Sequence, residues 1–263
     1  MSRPPVVLIH GMWSTPETLA DVKEAFESNG YTTHVPRLPY HHPRHELSAI
    51  EQARLGGATI QEYLESLCRL IESLDQQPIL VGHSMGGLLA QLVAAKYPCN
   101  RLILLSSAGA AGYNSWSWSV IRTFGHNLFK FPLWKQTTNL TLSKVSYGIA
   151  NSQTPAVQKD IITSATYESG MAATQIGMWF LFRRPPTRVN YGNITCPVLV
   201  IGGNQDKVTP IFIQKKIVKC FGGLASLYTI DGCCHWTIGG KYFPQITSKI
   251  FNWLGEFEVA KSA

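Results

Sequence analysis

The pattern with the most chemical content in this chain is a serine set between glycines, Gly82-His83-Ser84-Met85-Gly86. It follows the apolar run 78–81 and precedes the small, apolar run 87–97, so it falls at a strand–turn–helix junction, where G-x-S-x-G presents a nucleophile. So sharp a turn needs small neighbours. Gly82 and Gly86 let the backbone pass closely and leave the Ser84 hydroxyl exposed at a helix head, whose dipole favours developing negative charge. His83 and Gly86 complete this supporting turn.

A serine hydroxyl is a weak nucleophile; it needs a base, and the base needs an orienting acid. Only two histidines follow Ser84, His126 and His235. His126 sits in a segment of large apolar residues and is expected to pack or face the surface. His235 lies in Asp231-Gly232-Cys233-Cys234-His235-Trp236, just after the last expected strand, and is the expected base. The acid is nearly forced: residues 76–159 contain no Asp or Glu at all. Asp206, in Gly203-Asn204-Gln205-Asp206 after an apolar run, is the expected orienter. Thr209 and Pro210 behind it look like a cap and first residue of the next helix. Asp231 is the rival but stands only four residues before His235, and Asp160 and Glu168 belong to the middle segment.

A tetrahedral intermediate also needs two backbone N–H groups to receive its oxyanion. Met85, directly after the serine, offers one. The other is expected from Ile9-His10-Gly11-Met12-Trp13, where Gly11 permits close approach and Met12 is the donor.

These residues need a frame, and apolar runs bounded by turn residues supply one. Residues 6–10, 33–37, 79–82, 102–106, 198–202 and 226–230 read as buried strands. Helical stripes lie between them: 16–29 (Leu19, Val22, Phe26), 59–74 (Ile60, Leu64, Leu67, Ile71, Leu74), 86–97, and a closing helix marked by Ile246, Ile250, Trp253 and Phe257. Thr15 and Gly30 are the expected start and stop of the first. The alternation predicts a doubly wound, mostly parallel α/β sheet of about six strands. From about 109 to 188 it breaks. No clear strand is visible there, and large apolar residues crowd in, among them Trp116, Trp134 and Trp179. The expected organisation is a core of 1–108 and 189–263 with a helical cap, 109–188, inserted between the fourth and fifth strands over the sheet's carboxyl edge, where such sheets bind ligands. Trp13, Trp116, Trp134, Trp179 and Trp236 are candidate pocket residues, and Tyr167-Glu168-Ser169 a candidate polar contact for substrate.

Composition narrows the classes. Of 263 residues 45% are apolar and 15% charged, enough for a large core. No apolar run is long enough to span a bilayer, and the start does not read as a signal peptide, so a cytoplasmic location is expected. The net charge is +7, and its basic middle segment admits weak contact with an anionic membrane surface. No nucleic-acid signature accompanies it, and oligomeric state is not legible. Six cysteines show no C-x-x-C or zinc spacing. Cys233-Cys234 reads as two small residues packed beside the His235 loop. His41, His42 and His45 lack metal-site spacing and are expected in a solvated loop lining an entrance, so neither a metal nor a cofactor is called for.

His10-Gly11 on the first strand, the elbow 82–87, Asp206 in D-x-x-T-P and Cys234-His235-Trp236 together resemble the α/β-hydrolase superfamily across essentially the whole chain. Within it the chain is similar to bacterial capped esterases and lysophospholipase-like hydrolases. The chain order Ser–Asp–His fits that superfamily. The resemblance implies Ser84, Asp206 and His235 as a triad with Met12 and Met85 as oxyanion donors. It departs from the pattern in lacking the two strands that commonly start the fold, and in carrying 40–45, Tyr-His-His-Pro-Arg-His, after the second strand. The expected activity is hydrolysis of a small-molecule carboxylic ester with an apolar or lipid-like acyl group. C–C bond hydrolysis, acyl transfer, lactone opening and non-catalytic ligand binding are the other uses of such a scaffold.

Overall fold

The computed structural model describes residues 3–113, 118–125, 127 and 130–259. Six strands form one sheet: β1 (Val6–Ile9), β2 (Thr33–His34), β3 (Ile79–His83), β4 (Arg101–Leu105), β7 (Val198–Gly203) and β8 (Ala225–Ile230). Their order is β2-β1-β3-β4-β7-β8 and every neighbouring pair is parallel. All six lie where the sequence places strands, to within a few residues. The largest difference is β2, which stops at His34. Pro36 has no N–H for a ladder, and β2 is an edge strand with little else to hold it.

The alternation of side chains builds one core on each face of the sheet. Val7, Ile9, Leu80, Leu102, Leu104, Val198 and Val200 face one side, and Val6, Leu8, Ile79, Val81, Ile103, Leu105, Leu199 and Ile201 the other. The first face is covered by α3 (Ile60–Glu72), α4 (Met85–Ala94) and α9 (Ile211–Phe221), the second by α1 (Ala20–Ser28) and α10 (Phe243–Val259). Helix α3 carries the expected stripe and opens with a reciprocal capping box between Thr59 and Glu62. All ten residues of α4 are buried, as a central helix with no polar face requires. The stripe expected from Pro16 splits into a 3-10 turn, Pro16–Leu19, followed by α1. Thr15 makes no side-chain cap there, while Gly30 ends the run at φ +77°.

A helix the sequence reading passed over, α2 (Ala49–Gly57), begins with a second capping box, Ser48 with Glu51. Between β4 and β7 the chain forms α5 (Trp118–Phe124), α6 (Leu142–Lys144), α7 (Pro155–Ser164) and α8 (Gly170–Gly177), joined by short 3-10 and π turns. It also contains two strands that were not expected. β5 (Thr137–Thr138) and β6 (Glu168–Ser169) make a two-residue antiparallel ladder, too short to show any period in sequence. A third apolar cluster, built on Trp13, Val145, Ile149 and Ile161, joins this segment to the loop after β1. No described helix is long and apolar enough to cross a membrane.

Candidate active site

The sheet places the chemistry. β1 lies between β2 and β3, so successive crossovers leave in opposite directions and open a crevice at the carboxyl ends of β1 and β3. Ser84 follows β3 and Met12 follows β1, one on each lip of that crevice.

Ser84 has φ +54° and ψ −120°, a conformation that costs a non-glycine residue on the order of 1–3 kcal/mol. The surroundings impose it. A Cβ on Gly82 would press into the Gly86 carbonyl, and one on Gly86 into the Ile9 carbonyl, so the turn closes only with glycine at both places. Gly11 is close-packed too, though less tightly, since its Cβ would lie 3.0 Å from that of Ser84. The β1 loop is thereby drawn against the serine.

The three residues chosen from sequence come together. Ser84 Oγ lies 2.9 Å from His235 Nε2, and His235 Nδ1 lies 2.8 Å from Asp206 Oδ2. A carboxylate only accepts, so Nδ1 carries the proton and Nε2 is left to accept the serine hydroxyl. Burial would raise the carboxyl pKa of Asp206, but the neighbouring His235 and the N–H groups of Thr209 and Val208 outweigh it and hold the group below its ordinary value. Those two N–H groups both donate to Oδ1 at 2.8 Å, leaving Oδ2 for the imidazole.

Two partners in this relay were not singled out for it from sequence. Thr209, expected to cap the next helix, instead places its hydroxyl 2.9 Å from Asp206 Oδ2, 2.9 Å from the Ser106 carbonyl and 3.2 Å from His235 Nδ1; α9 begins two residues later. An Asp followed by N–H groups at +2 and +3 is an Asx-type turn, and that signal was present in the D-x-x-T spacing. His83 donates from Nε2 to the His235 carbonyl at 3.0 Å, tying the β8 loop to the serine turn. Burial and the adjacent His235 push its pKa down to about 3, so it stays neutral. Cys233 and Cys234 are fully buried, and the Cys233 carbonyl packs where a Cβ on Gly203 would stand. Asp231 turns away from His235 and accepts from Asn204.

Met85 is the first residue of α4, so its N–H has no partner within the helix. Met12 and Met85 both border a cavity of about 830 Å³ that opens on Ser84 and is walled by Ala108, Val120, Phe124, Leu133, Ala173, Ile176 and Met178. A second cavity of about 510 Å³ meets it at Ser84 and carries His83, His235, Trp13, Leu140, Ile149, Ile161 and Trp236. Of the tryptophans expected in the pocket, Trp13 and Trp236 line this second cavity. Trp134 is 41% exposed and stacks edge-on with Phe131, and Trp179 donates to the Tyr113 carbonyl; neither lines these cavities. Their place is taken mainly by aliphatic residues, with Phe124 among them. Trp116 and His126 lie outside the described residues.

His10 is buried and neutral, its pKa pushed down to about 3 by burial and by the nearby His41 and Arg37. Its Nδ1 faces the Gly11 carbonyl and its Nε2 accepts from Leu38 N–H, which anchors the β1 loop from behind. His41 is not in a solvated loop as expected. It is fully buried, 3.0 Å from Glu168, which is likewise buried and therefore not aimed at substrate. Among the described residues no three His, Cys, Asp or Glu side chains gather in a way that could hold a metal ion.

Comparison with known proteins identifies the family and the fold. The model of the alpha/beta hydrolase family matches residues 6–237, most of the chain, and the protein belongs to that family. No curated protein matches it closely enough to count as a relative. Among solved structures, the monoacylglycerol lipase of Paleococcus ferrophilus is similar at 19% identity and TM-score 0.69, covering 95% of each chain. A methylesterase from Arabidopsis aligns at 14% identity and TM-score 0.72, over 96% of this chain and 99% of its own. An extracellular alpha/beta-hydrolase from Paenibacillus aligns at 18% identity and TM-score 0.64, over 88% and 91%. At these identities the likeness is one of fold.

Proposed function

We propose that this hydrolase cleaves carboxylic esters with an apolar acyl group, using Ser84 as nucleophile, His235 as base and Asp206 as orienter. One observation carries the reading: the unbroken line from Ser84 Oγ through both nitrogens of His235 to the buried Asp206, at 2.9 and 2.8 Å. His235 Nε2 takes the serine proton as Oγ bonds to the ester carbon, and the carbonyl oxygen becomes an oxyanion received by the N–H groups of Met12 and Met85. The C–O bond then breaks, and the leaving oxygen takes the proton from Nε2. Water, deprotonated by the same nitrogen, attacks the acyl-serine and returns Ser84 and a carboxylic acid.

The direction of binding follows from that proton. A leaving oxygen has to sit within hydrogen-bond reach of His235 Nε2. The smaller cavity, which contains His235, is therefore the alcohol side. The larger one, which has Met85 on its border in addition to the Met12 that both cavities share and is walled mainly by aliphatic side chains, is the acyl side. Its walls come largely from the segment between β4 and β7, which we read as a cap inserted into a core of 1–108 and 189–263. The lipase and methylesterase among the similar structures support an ester substrate, and an apolar acyl wall supports medium chains over acetyl.

The test is a panel of p-nitrophenyl esters from acetate to dodecanoate, with a fluorophosphonate probe on folded protein. The expected result is labelling of Ser84, hydrolysis peaking at medium chain length, and loss of both in Ser84→Ala. Near-wild-type hydrolysis by Ser84→Ala would overturn the proposal.

A further inference from the structure

Away from the serine the molecule buries a second histidine–carboxylate pair that the proposed reaction does not use. His41, from the loop after β2, lies 3.0 Å through Nε2 from Glu168 Oε2 in the cap, and both side chains are fully out of solvent. The other oxygen of Glu168 accepts from Tyr63 of α3 at 2.9 Å and from Ser169 N–H at 2.6 Å. Glu168 thus has three hydrogen-bond partners, Tyr63 and Ser169 N–H on one oxygen and His41 on the other. His41 Nδ1 faces the Pro39 carbonyl at 2.9 Å, so both ring nitrogens meet acceptors and both need protons. That geometry fits a protonated ring.

The pair sits where the cap grips the catalytic loop. On one side the ring of His41 packs 5.1 Å from that of His10, which anchors Gly11 and Met12. On the other, the Glu168 carbonyl accepts from Thr138, whose hydroxyl accepts from the indole of Trp13, and Thr166 N–H donates to the Trp13 carbonyl. Directly after Glu168, Ser169 caps α8, and α8 supplies Ala173, Ile176 and Gly177 to the acyl cavity. Core loop, oxyanion loop and acyl wall thus converge on one buried charge pair.

We propose that His41–Glu168 is a positioning clamp: it fixes α8 along the acyl cavity, so that long acyl chains depend on its charge while acetyl does not. This rests on the ester-hydrolase reading for its substrate and on the protein alone for its mechanics. The groups facing His41 are Glu168 from the cap, Tyr63 from α3, neutral His10 from the end of β1 and Arg37, whose guanidinium donates to the His41 carbonyl at 2.8 Å. Burial lowers the pKa of His41, but the charge and hydrogen bond of Glu168 and the Pro39 and Leu38 contacts outweigh it, and the net shift is upward from 6.5. A raised folded pKa means that the clamp is at full strength below 6.5 and weakens as pH rises through the higher folded value.

The test compares wild type, E168Q and the double variant H41Q/E168Q on p-nitrophenyl octanoate and acetate from pH 6 to 10. In E168Q the KM for octanoate is expected to rise by about tenfold, the loss of roughly one charge-assisted hydrogen bond, with acetate turnover changed by less than about threefold. Wild type is expected to lose its octanoate preference on the alkaline side, and the double variant to hold a weaker preference that no longer depends on pH. Equal falls on both esters, or an alkaline loss of preference surviving in the double variant, would overturn the clamp. If wild type hydrolyses no ester, the ester reading fails and the clamp is judged by amide exchange. Protection factors at 169–177, which discount the base-catalysed rise of intrinsic exchange, are expected to fall about tenfold in E168Q and, in wild type, at high pH. Unchanged protection factors in both comparisons would overturn it.

Discussion

His235 meets Asp206 at 2.8 Å beneath Ser84, and His41 meets Glu168 of the segment between β4 and β7 at 3.0 Å, both pairs almost wholly out of solvent. The parts are the same and the surroundings differ. At His235 the carboxylate takes Nδ1, and Nε2 is left facing a hydroxyl at the floor of two cavities. At His41 the carboxylate takes Nε2, a carbonyl takes Nδ1, and no nitrogen is left to exchange a proton with a ligand. On the proposed reading the first pair can move a proton because one acceptor position stays open toward a cavity, whereas the second, with every position filled, holds elements together.

The strongest way to break that contrast is to remove the hydroxyl. Ser84→Ala is expected to lower kcat/KM on the preferred ester by at least about 10⁴-fold with little change in melting temperature, since His235 and Asp206 keep each other. A fall of less than tenfold would mean that the open valence of His235 serves some other group. Asp206→Asn comes next. An amide in place of the carboxylate favours the wrong imidazole tautomer, and a loss of about 10⁴-fold in kcat is expected from the behaviour of such relays in general. It also bears on pH. The carboxyl of Asp206 is held below its ordinary 3.8, so its contribution to stability is present above 3.8 and is lost as pH falls through the lower folded value. Acid unfolding of Asp206→Asn should therefore show a shallower slope below about pH 4 than wild type.

A smaller effect separates the carboxylate from its support. Thr209→Val keeps the volume and removes one of the groups that steady Asp206 Oδ2, while both N–H donors to Oδ1 stay. A drop of about tenfold in kcat, with KM nearly unchanged, is the expected outcome in steady-state kinetics.

What the sequence made legible follows the same division. Ser84, Asp206 and His235 could be chosen because motif and scarcity worked together: a glycine-flanked serine, two downstream histidines and an 84-residue stretch without an acid. The parallel sheet was legible because each strand is a short apolar run closed by turn residues. His41 and Glu168 are 127 residues apart, and each sits in a polar neighbourhood that reads as surface. Nothing local says that β6 will fold Glu168 inward onto α3. The helices between β4 and β7 were blurred for a related reason. Their lengths, three to ten residues broken by 3-10 and π turns, are too short for a 3.6-residue period to show. Large aromatics there suggested a pocket lining, yet Trp134 is partly exposed, because a ring's size says how much area it hides and not which surface it meets. Helix α2 was the avoidable miss, since Ser48 and Glu51 carry the capping-box spacing in plain view.

The gentlest perturbation tests the closed pair without touching either of its charges. Tyr63→Phe removes the hydroxyl that reaches Glu168 Oε1 at 2.9 Å and leaves Ser169 N–H on that oxygen and His41 on the other. Tyr63 is fully buried, so the phenylalanine ring fills nearly the same space and the cost is one hydrogen bond to a charged acceptor, about 1.5 kcal/mol. For a chain of this size that corresponds to a fall in melting temperature of about 3–6 °C, measurable by calorimetry. Activity on acetate should stay within about twofold, because the His235 relay shares no partner with Tyr63. A fall in acetate activity out of proportion to the melting shift would mean that the two buried pairs are coupled through His10 and the β1 loop, and that the closed pair sets the geometry of the open one.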